Sequence, residues 1–318
     1  MICPPDVFDA AGALFYRNAA NGAFMFTSRY RLSDSESLFQ TASMYPDVFK
    51  PRPAESHKGT YGTLAVTGGA EGMSGAVVLA ATAAAYAGCG KVWAGFNQRQ
   101  LPFAVIDGRP EIMLATAQNL LLRNDADARA IGCGLGLGET ASGIAAALSE
   151  ADGKPLLLDA DALTLLSRSS ELQRLAVRHG NLILTPHPAE AARLLKTDTA
   201  EIQKARIQSV ETLSRRFNAV TVLKGHRSLI AAPDRGTTAN PSGNAGLATA
   251  GSGDVLSGII GSLLAQGIDA FQAAAAGVWL HGAAADILRD SETGEIGMLA
   301  GEIAPAARWL RNYLVRGK

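Results

Sequence analysis

Short apolar runs alternate with longer segments of mixed polarity from residue 63 to the C-terminus. The runs at 63–67 (TLAVT), 91–95 (KVWAG), 111–115, 129–131, 155–158 (PLLL), 181–184 (NLIL), 219–223 (AVTVL) and 228–232 (SLIAA) predict strands. The segments between and after them predict helices at about 74–87, 141–149, 188–195, 200–217, 254–265, 270–289 and 299–315. Ser74 is expected to cap the first helix, and Gly88 and Gly90 to end it. Strands this short and this uniformly apolar imply a mostly parallel central sheet with helices on both faces. Such a sheet binds its ligands beyond the carboxyl ends of its strands. Polar and glycine residues gather there, at 68–69, 132–138, 159–161, 187–190 and 224–227.

Residues 1–45 differ from the rest. They lack clear periodicity, carry Phe8, Phe15, Tyr16, Phe24, Phe26, Tyr30 and Phe39, and are expected to form an N-terminal extension with a short helix. Pro46, Pro51 and Pro53 mark the passage into the main unit, 46–318. Charged residues are only 18% of the chain, below the usual quarter or so, as expected for many buried elements. Basic and acidic residues balance at 29 each with no basic run, so neither a nucleic-acid surface nor electrostatic attraction to a membrane is indicated. The run 73–90 comes nearest to a membrane span, but it is mostly Ala and Gly and reads as a tightly packed helix. Cys3, Cys89 and Cys133 stand alone, and Asp6 and Asp9 occupy the place of a basic leader, so a cytoplasmic chain with reduced thiols is expected.

The strongest chemical signal is the stretch 240–254, NPSGNAGLATAGSGD. Gly251-Ser252-Gly253 permits a backbone path closed to other residues, and Asp254 is expected to open an apolar helix. The first N–H groups of such a helix are unpaired and attract phosphate. Asp254 is then either a first-turn acid favouring the helix dipole or a general base beside a phosphate. Gly258 and Gly261 in the same helix each cost about 1 kcal/mol against Ala, which favours something packed close to it, another backbone or a ligand.

Other residues admit two readings as well. Gly136-x-Gly138-x-x-Ala141, with Asp159 about 20 residues on, matches a loose dinucleotide fingerprint, but that reading leaves 251–254 and 224–227 without a purpose. No phosphate-binding GxxxxGK[ST] motif occurs. His187 suits either a structural hydrogen bond or substrate contact, and Glu190 a first-turn acid or a site residue. Asp159 and Asp161 serve the turn and the N-cap of a helix at 162–166, or the site. Lys224 at a strand end suits phosphate as a point charge, or is a solvated loop lysine.

Five segments together resemble the ADP/ATP-dependent NAD(P)H-hydrate dehydratases of the ribokinase-like superfamily. They are Lys58-Gly-Thr-Tyr-Gly-Thr-Leu with Thr67-Gly-Gly and Ser74-Gly-Ala76; Gly132-Cys-Gly-Leu-Gly136; Leu158-Asp-Ala-Asp-Ala-Leu163; Leu184-Thr-Pro-His-Pro-Ala-Glu190; and Asn244-Ala-Gly-Leu-Ala-Thr-Ala-Gly-Ser-Gly-Asp254. The resemblance covers residues 46–315. It implies a ribokinase-like α/β fold and dehydration of (S)-NADH or (S)-NADPH hydrate, coupled to ADP or ATP with Mg²⁺. It places Ala76, Gly136, His187 and Asp254 on the hydrated nucleotide, with Asp254 as base. Lys224, Gly225, His226, Arg227, Ser228 and Gly253 would hold the adenine nucleotide, and Glu190 would organise Mg²⁺ and phosphate. Cys133 stands where the family usually has Pro, a departure expected to loosen the turn without touching the chemistry. Residues 1–45 are too short for the epimerase domain many members carry, so a separate epimerase is implied, as is a homotetramer. A small-molecule kinase of the same superfamily and a non-catalytic nucleotide-binding protein are the alternatives.

Overall fold

Seven of the eight apolar runs that predict strands become the parallel strands of one sheet, and the eighth turns back antiparallel. The structure, a computed structural model, describes residues 34–149 and 153–317, with Tyr30, Leu32 and three short strands nearer the N-terminus. Those three, β1 (Val7–Phe8), β2 (Leu14–Arg17) and β3 (Phe24–Thr27), pair antiparallel as a small sheet of their own. The remainder of 1–33 lies outside the described residues. The short helix expected in the extension is α1 (Ser35–Ser43), capped by the Asp34 carboxylate, which accepts the Ser37 N–H at 3.1 Å. Ala42 and Tyr45 are buried in the same core as the main sheet, so packing continues across the 45/46 boundary.

The main sheet comprises β4 (Thr63–Gly68), β5 (Lys91–Phe96), β6 (Met113–Thr116), β7 (Ala128–Ile131), β8 (Leu156–Leu158), β9 (Leu182–Leu184), β10 (Val220–Leu223), β11 (Leu229–Ala232) and β12 (Arg235–Ala239). Its order is β12-β11-β10-β9-β8-β7-β4-β5-β6, parallel from β10 to β6 and antiparallel at β11 and β12. The chain runs outward from β4 through β5 to β6 and returns to β7 on the other side of β4. The switch point therefore falls between β4 and β7, where an open parallel sheet leaves a crevice at its carboxyl edge.

Alternation within each strand builds two cores. Leu157, Ile183, Val222 and Ile230 face one side, under α2 (Ser74–Tyr86), α10 (Ser252–Ala265), α11 (Ala270–Asp290) and α12 (Ala300–Arg316). Leu156, Leu158, Leu182 and Leu184 face the other. That side is covered by α4 (Glu139–Ser149), α5 (Ala160–Arg168), α6 (Ser170–His179), α7 (Pro188–Leu195), α8 (Thr199–Lys204) and α9 (Arg206–Phe217), with the short α3 (Ala117–Leu121) beside them. A strand buried on both faces has no polar face to show, which is why PLLL and NLIL read as unbroken apolar runs.

The two glycines inside α10 have the purpose their cost suggested. A Cβ on Gly258 would sit 2.1 Å from the Ala80 carbonyl oxygen and 2.9 Å from the Ala83 Cβ, and one on Gly261 3.0 Å from Leu64. The neighbour of Gly258 is the backbone of α2 and that of Gly261 is the sheet, and the Ala-rich run 73–90 is the packed helix expected of it. Gly258→Ala should lower the melting temperature, because the overpacking cost of about 1–3 kcal/mol exceeds the gain of about 1 kcal/mol in helix propensity. An unchanged or raised melting temperature would refute this account of the α2–α10 contact.

Several boundaries differ from expectation. Met73, not Ser74, holds the N-cap position of α2, and the Ser74 hydroxyl instead accepts from Gln98 Nε2 at 2.8 Å. The single helix expected at 200–217 breaks at Ala205 (φ −128°, ψ 48°) into α8 and α9. Helix α10 begins at Ser252, so Asp254 is its third residue rather than its first. Helices α3 and α6 and strand β12 were not expected.

Candidate active site

Five turns meet at the carboxyl edge of the sheet, after β4, β7, β8, β9 and β10, and the start of α10 descends onto them. Gly69 donates its N–H to the Cys133 carbonyl at 2.9 Å and Ala70 to the Gly134 carbonyl at 2.7 Å, joining the turns on either side of the switch point. The Lys224 N–H donates to the Pro186 carbonyl at 2.9 Å, joining the turns after β9 and β10. Gly132 is confined to glycine, since a Cβ there would lie 1.8 Å from the Asp159 carbonyl oxygen. Gly251 adopts φ +87° to redirect the chain into α10, and a side chain there would strike Leu79 at 2.4 Å.

At the centre lies a buried ion pair. Asp159 is 1% exposed and accepts from Lys224 Nζ at 2.7 Å and from the Ser257 hydroxyl at 2.7 Å. Burial alone would raise the Asp159 pKa, but the Lys224 charge and these hydrogen bonds hold it below the usual carboxylate range. Burial would lower Lys224, yet Asp159 and then Glu190 hold it above the ordinary lysine value. A Cβ on Gly253 would meet Lys224 Nζ at 3.5 Å and Asp159 Oδ2 at 3.9 Å, so the ion pair lies directly beneath the glycine turn. Asp159 holds the N-cap position of α5 but makes no capping bond, because its carboxylate is committed to Lys224 and Ser257.

A cavity of about 880 Å³ opens on one side of that turn. All six residues expected to hold an adenine nucleotide, Lys224, Gly225, His226, Arg227, Ser228 and Gly253, lie on its wall, with His187 beside them. Leu247, Leu256 and Val278 supply apolar lining. The loop leading to the turn is anchored by Asp286, whose carboxylate accepts the Gly243 N–H at 2.8 Å and the Asn244 amide at 3.0 Å.

Asp254, Ala76 and Gly136 are not part of this wall. They gather at the switch point: a Cβ on Gly134 would touch the Ala76 Cβ at 3.2 Å, and the Gly136 N–H donates to Asp161 Oδ2 at 2.8 Å. The half-buried Asp254 carboxyl is pushed up to about 6, chiefly by burial and further by the charges of Asp159 and Asp161, while the neighbouring Cys133 thiol opposes the shift. Cys133 is 1% exposed, and burial and then the Asp254 charge push its pKa up, so it stays a neutral thiol beside that carboxylate.

His187 and Glu190 close a capping box at the start of α7. His187 Nδ1 accepts the N–H groups of Ala189 at 3.1 Å and Glu190 at 3.3 Å, and Glu190 Oε2 accepts the His187 N–H at 2.7 Å. Burial, the Lys224 charge and Arg193 lower the His187 pKa, so the ring is neutral at physiological pH. Burial raises Glu190 to about 7 against the pull of Lys224, whose Nζ lies 4.0 Å away. The first-turn reading of Glu190 therefore holds as geometry.

His281 was missed by sequence reasoning. From α11 its Nε2 lies 3.1 Å from the Ser252 carbonyl oxygen and 3.4 Å from the Ser252 hydroxyl, bracing the first residue of α10. Burial lowers its pKa to about 4, so it is a neutral brace. Its signal was a lone polar ring in the Ala-rich segment VWLHGAAA.

Known proteins resemble this chain in sequence and fold. The family model described as NAD(P)H-hydrate dehydratase matches residues 64–307. The chain is 61% identical over 280 residues to the ADP-dependent (S)-NAD(P)H-hydrate dehydratase of Neisseria meningitidis, covering 88% of this chain and 95% of that one. Among solved structures it is similar to the ADP/ATP-dependent NAD(P)H-hydrate dehydratase of Bacillus subtilis co-crystallised with ATP and Mg²⁺ (TM-score 0.74, 33% identity, 83% of this chain and 94% of that one). It is also similar to a ribokinase-like superfamily protein of Enterococcus faecalis (TM-score 0.76, 26% identity, 88% and 95% covered).

Proposed function

This chain belongs to the NAD(P)H-hydrate dehydratase family, and we propose that its ribokinase-like site dehydrates (S)-NAD(P)H hydrate with ADP or ATP as phosphoryl donor and Asp254 as base. The observation that carries this reading is the 251–253 turn. On one side lies a cavity walled by the six nucleotide residues. Next in the chain comes a carboxylate poised at about 6, ionised at neutral pH yet basic enough to take a proton.

Hydroxide is a poor leaving group, so the substrate hydroxyl must first be phosphorylated. Asp254 removes the hydroxyl proton as its oxygen attacks the terminal phosphorus of the nucleotide, and the bond to the nucleotide's bridging oxygen breaks. The free amides at the start of α10 face the developing charge. Phosphate then leaves, driven by the ring-nitrogen lone pair, and loss of a proton from the adjacent carbon restores the double bond. The products are NAD(P)H, phosphate, and AMP or ADP. Ala76, Gly136 and His187 are assigned to the hydrated nucleotide. Lys224, Gly225, His226, Arg227, Ser228 and Gly253 are assigned to the adenine nucleotide.

Mg²⁺ fits this site as an ion carried on the nucleotide phosphates. Among the described residues no three His, Cys, Asp or Glu side chains converge on a metal position. Mg²⁺ is commonly held by one or two carboxylates plus substrate phosphates, and Glu190 would supply the carboxylate here. When bound, the ion neutralises phosphate charge. A cytoplasmic location, a homotetramer and a separate epimerase supplying the (S) epimer belong to the same proposal. The first rests on the unpaired thiols of Cys89 and Cys133, the other two on family resemblance. Among the described residues no helix is long and apolar enough to cross a membrane.

The test is to incubate purified protein with hydrated NADH, Mg²⁺ and either ADP or ATP. Reduced-nicotinamide absorbance should return with one phosphate released per turnover. Since Asp254 acts ionised, kcat/KM should fall roughly tenfold per pH unit below about 6. Accumulation of a stable phosphate ester, with no returning absorbance, would instead make the protein a kinase.

A further inference from the structure

A second cavity, of about 600 Å³, lies at the opposite end of the sheet, where Tyr61 precedes β4 and Gly88 precedes β5. Lys50, Arg52, Arg308 and Arg311 line it, and its single carboxylate, Asp47, is paired with Lys50 at 3.2 Å. Arg52, Arg308 and Arg311 make no ion pair among the described residues. Their hydrogen bonds go elsewhere: Arg52 to the Gly88 carbonyl, and Arg311 to the carbonyls of Val48 and Ala87 and to the Gln266 side chain. A Cβ on Gly88 would lie 2.7 Å from Arg52 Nη2 and 3.2 Å from Arg311 Nη1, so two guanidinium groups meet at one point with no carboxylate paired to either among the described residues. Burial lowers Arg311 to about 10, and the neighbouring Arg52 charge adds to the shift.

Capping of α2 explains part of this. A helix C-terminus carries about half a negative charge, and Arg52 and Arg311 bond the last carbonyls there. It does not explain why Arg308 and Lys50 converge on the same space in a chain whose charges balance overall. Arg52 stacks over Tyr61 at 3.6 Å and Arg308 over Tyr86 at 4.3 Å. Stacking holds both guanidinium groups in place, so little conformational freedom is lost when an anion binds. It also covers ring faces that a nucleotide base would otherwise use, which favours a small anion over a base-bearing one.

We propose that this cavity is an anion site, separate from the nucleotide cavity, that binds a small ligand through its phosphate groups. Guanidinium forks match phosphate oxygens two at a time. The test uses the full chain and calorimetric titration with pyrophosphate at low salt. The wild type should show two independent binding events. The double variant Lys50→Ala/Arg308→Ala, at two exposed side chains, should weaken one of them at least tenfold, with turnover within twofold of wild type. Ribose 5-phosphate in a parallel titration separates the sources: matching affinity points to an organic phosphate ester, much weaker binding to an inorganic anion. A single binding event in the wild type, or two events unchanged in the double variant, would reduce the cluster to a helix cap and overturn the proposal.

Discussion

Asp254→Asn should lower kcat by roughly 10³-fold, within the range of about 10²–10⁴ that a positioned general base contributes, while leaving the fold and nucleotide affinity intact. The substitution keeps the shape of the side chain at the third position of α10. It removes the one property the mechanism requires, a carboxylate that can accept a proton. Nucleotide binding should survive because the cavity wall is formed by Gly253 and the 224–228 turn, not by the Asp254 side chain. The neighbours of Asp254 support the assignment. Burial and the charges of Asp159 and Asp161 raise its pKa, and the Cys133 thiol limits the rise. Returning absorbance gives kcat, calorimetry gives nucleotide affinity and circular dichroism checks the fold. A variant turning over at near the wild-type rate would remove Asp254 from the role of base.

The largest loss of stability is expected from Lys224→Ala. Asp159 is 1% exposed and its strongest partner is Lys224 Nζ at 2.7 Å. Removing the ammonium leaves a carboxylate buried against Ser257 with no counter-charge, a defect that costs about 3–5 kcal/mol. For a chain of this size that is a fall of roughly 10 °C in melting temperature. The nucleotide cavity loses part of its wall in the same step. A second change, Asp159→Asn, separates the two effects. Made on the Lys224→Ala background, it should restore much of the stability and none of the activity, because it removes the orphaned charge without replacing the ammonium. The pH dependence follows from the sign of the Asp159 shift. Its folded pKa is depressed, so the pair stabilises fully above the ordinary carboxylate range and is lost as pH falls through the depressed value. Equal melting temperatures for wild type and Lys224→Ala would show that the pair contributes nothing.

The pattern of apolar runs was enough to read most of the architecture. Runs such as PLLL and NLIL became β8 and β9 within a residue or so, because a strand buried on both faces must be apolar throughout and has no other stable setting. The glycine and polar clusters after these runs became the site, since turns at the carboxyl edge of a parallel sheet are the part left open to a ligand. Local composition misled at the edges. Strand β12 (Arg235–Ala239) is polar and largely exposed, so it carries no core signal, and only its pairing with β11 makes it a strand. Helix α6 shows Leu172 and Ala176 at helical spacing, but it follows α5 after a single residue, and no turn signal separates the two.

What the sequence alone determined is therefore the kind of sheet, the position of its open edge and the glycine turn that leads into a helix beside an acid. Only the tertiary structure decided which charges meet. Asp159 and Lys224 are 65 residues apart, Asp159 and Ser257 98, and His281 and Ser252 29. Read along the chain, Asp159 admits a turn or a site role, Lys224 a phosphate contact or a loop position, and His281 gives no chemical signal of its own. Their chemistry arises from burial and from partners brought in by other elements, and those depend on how the whole chain packs.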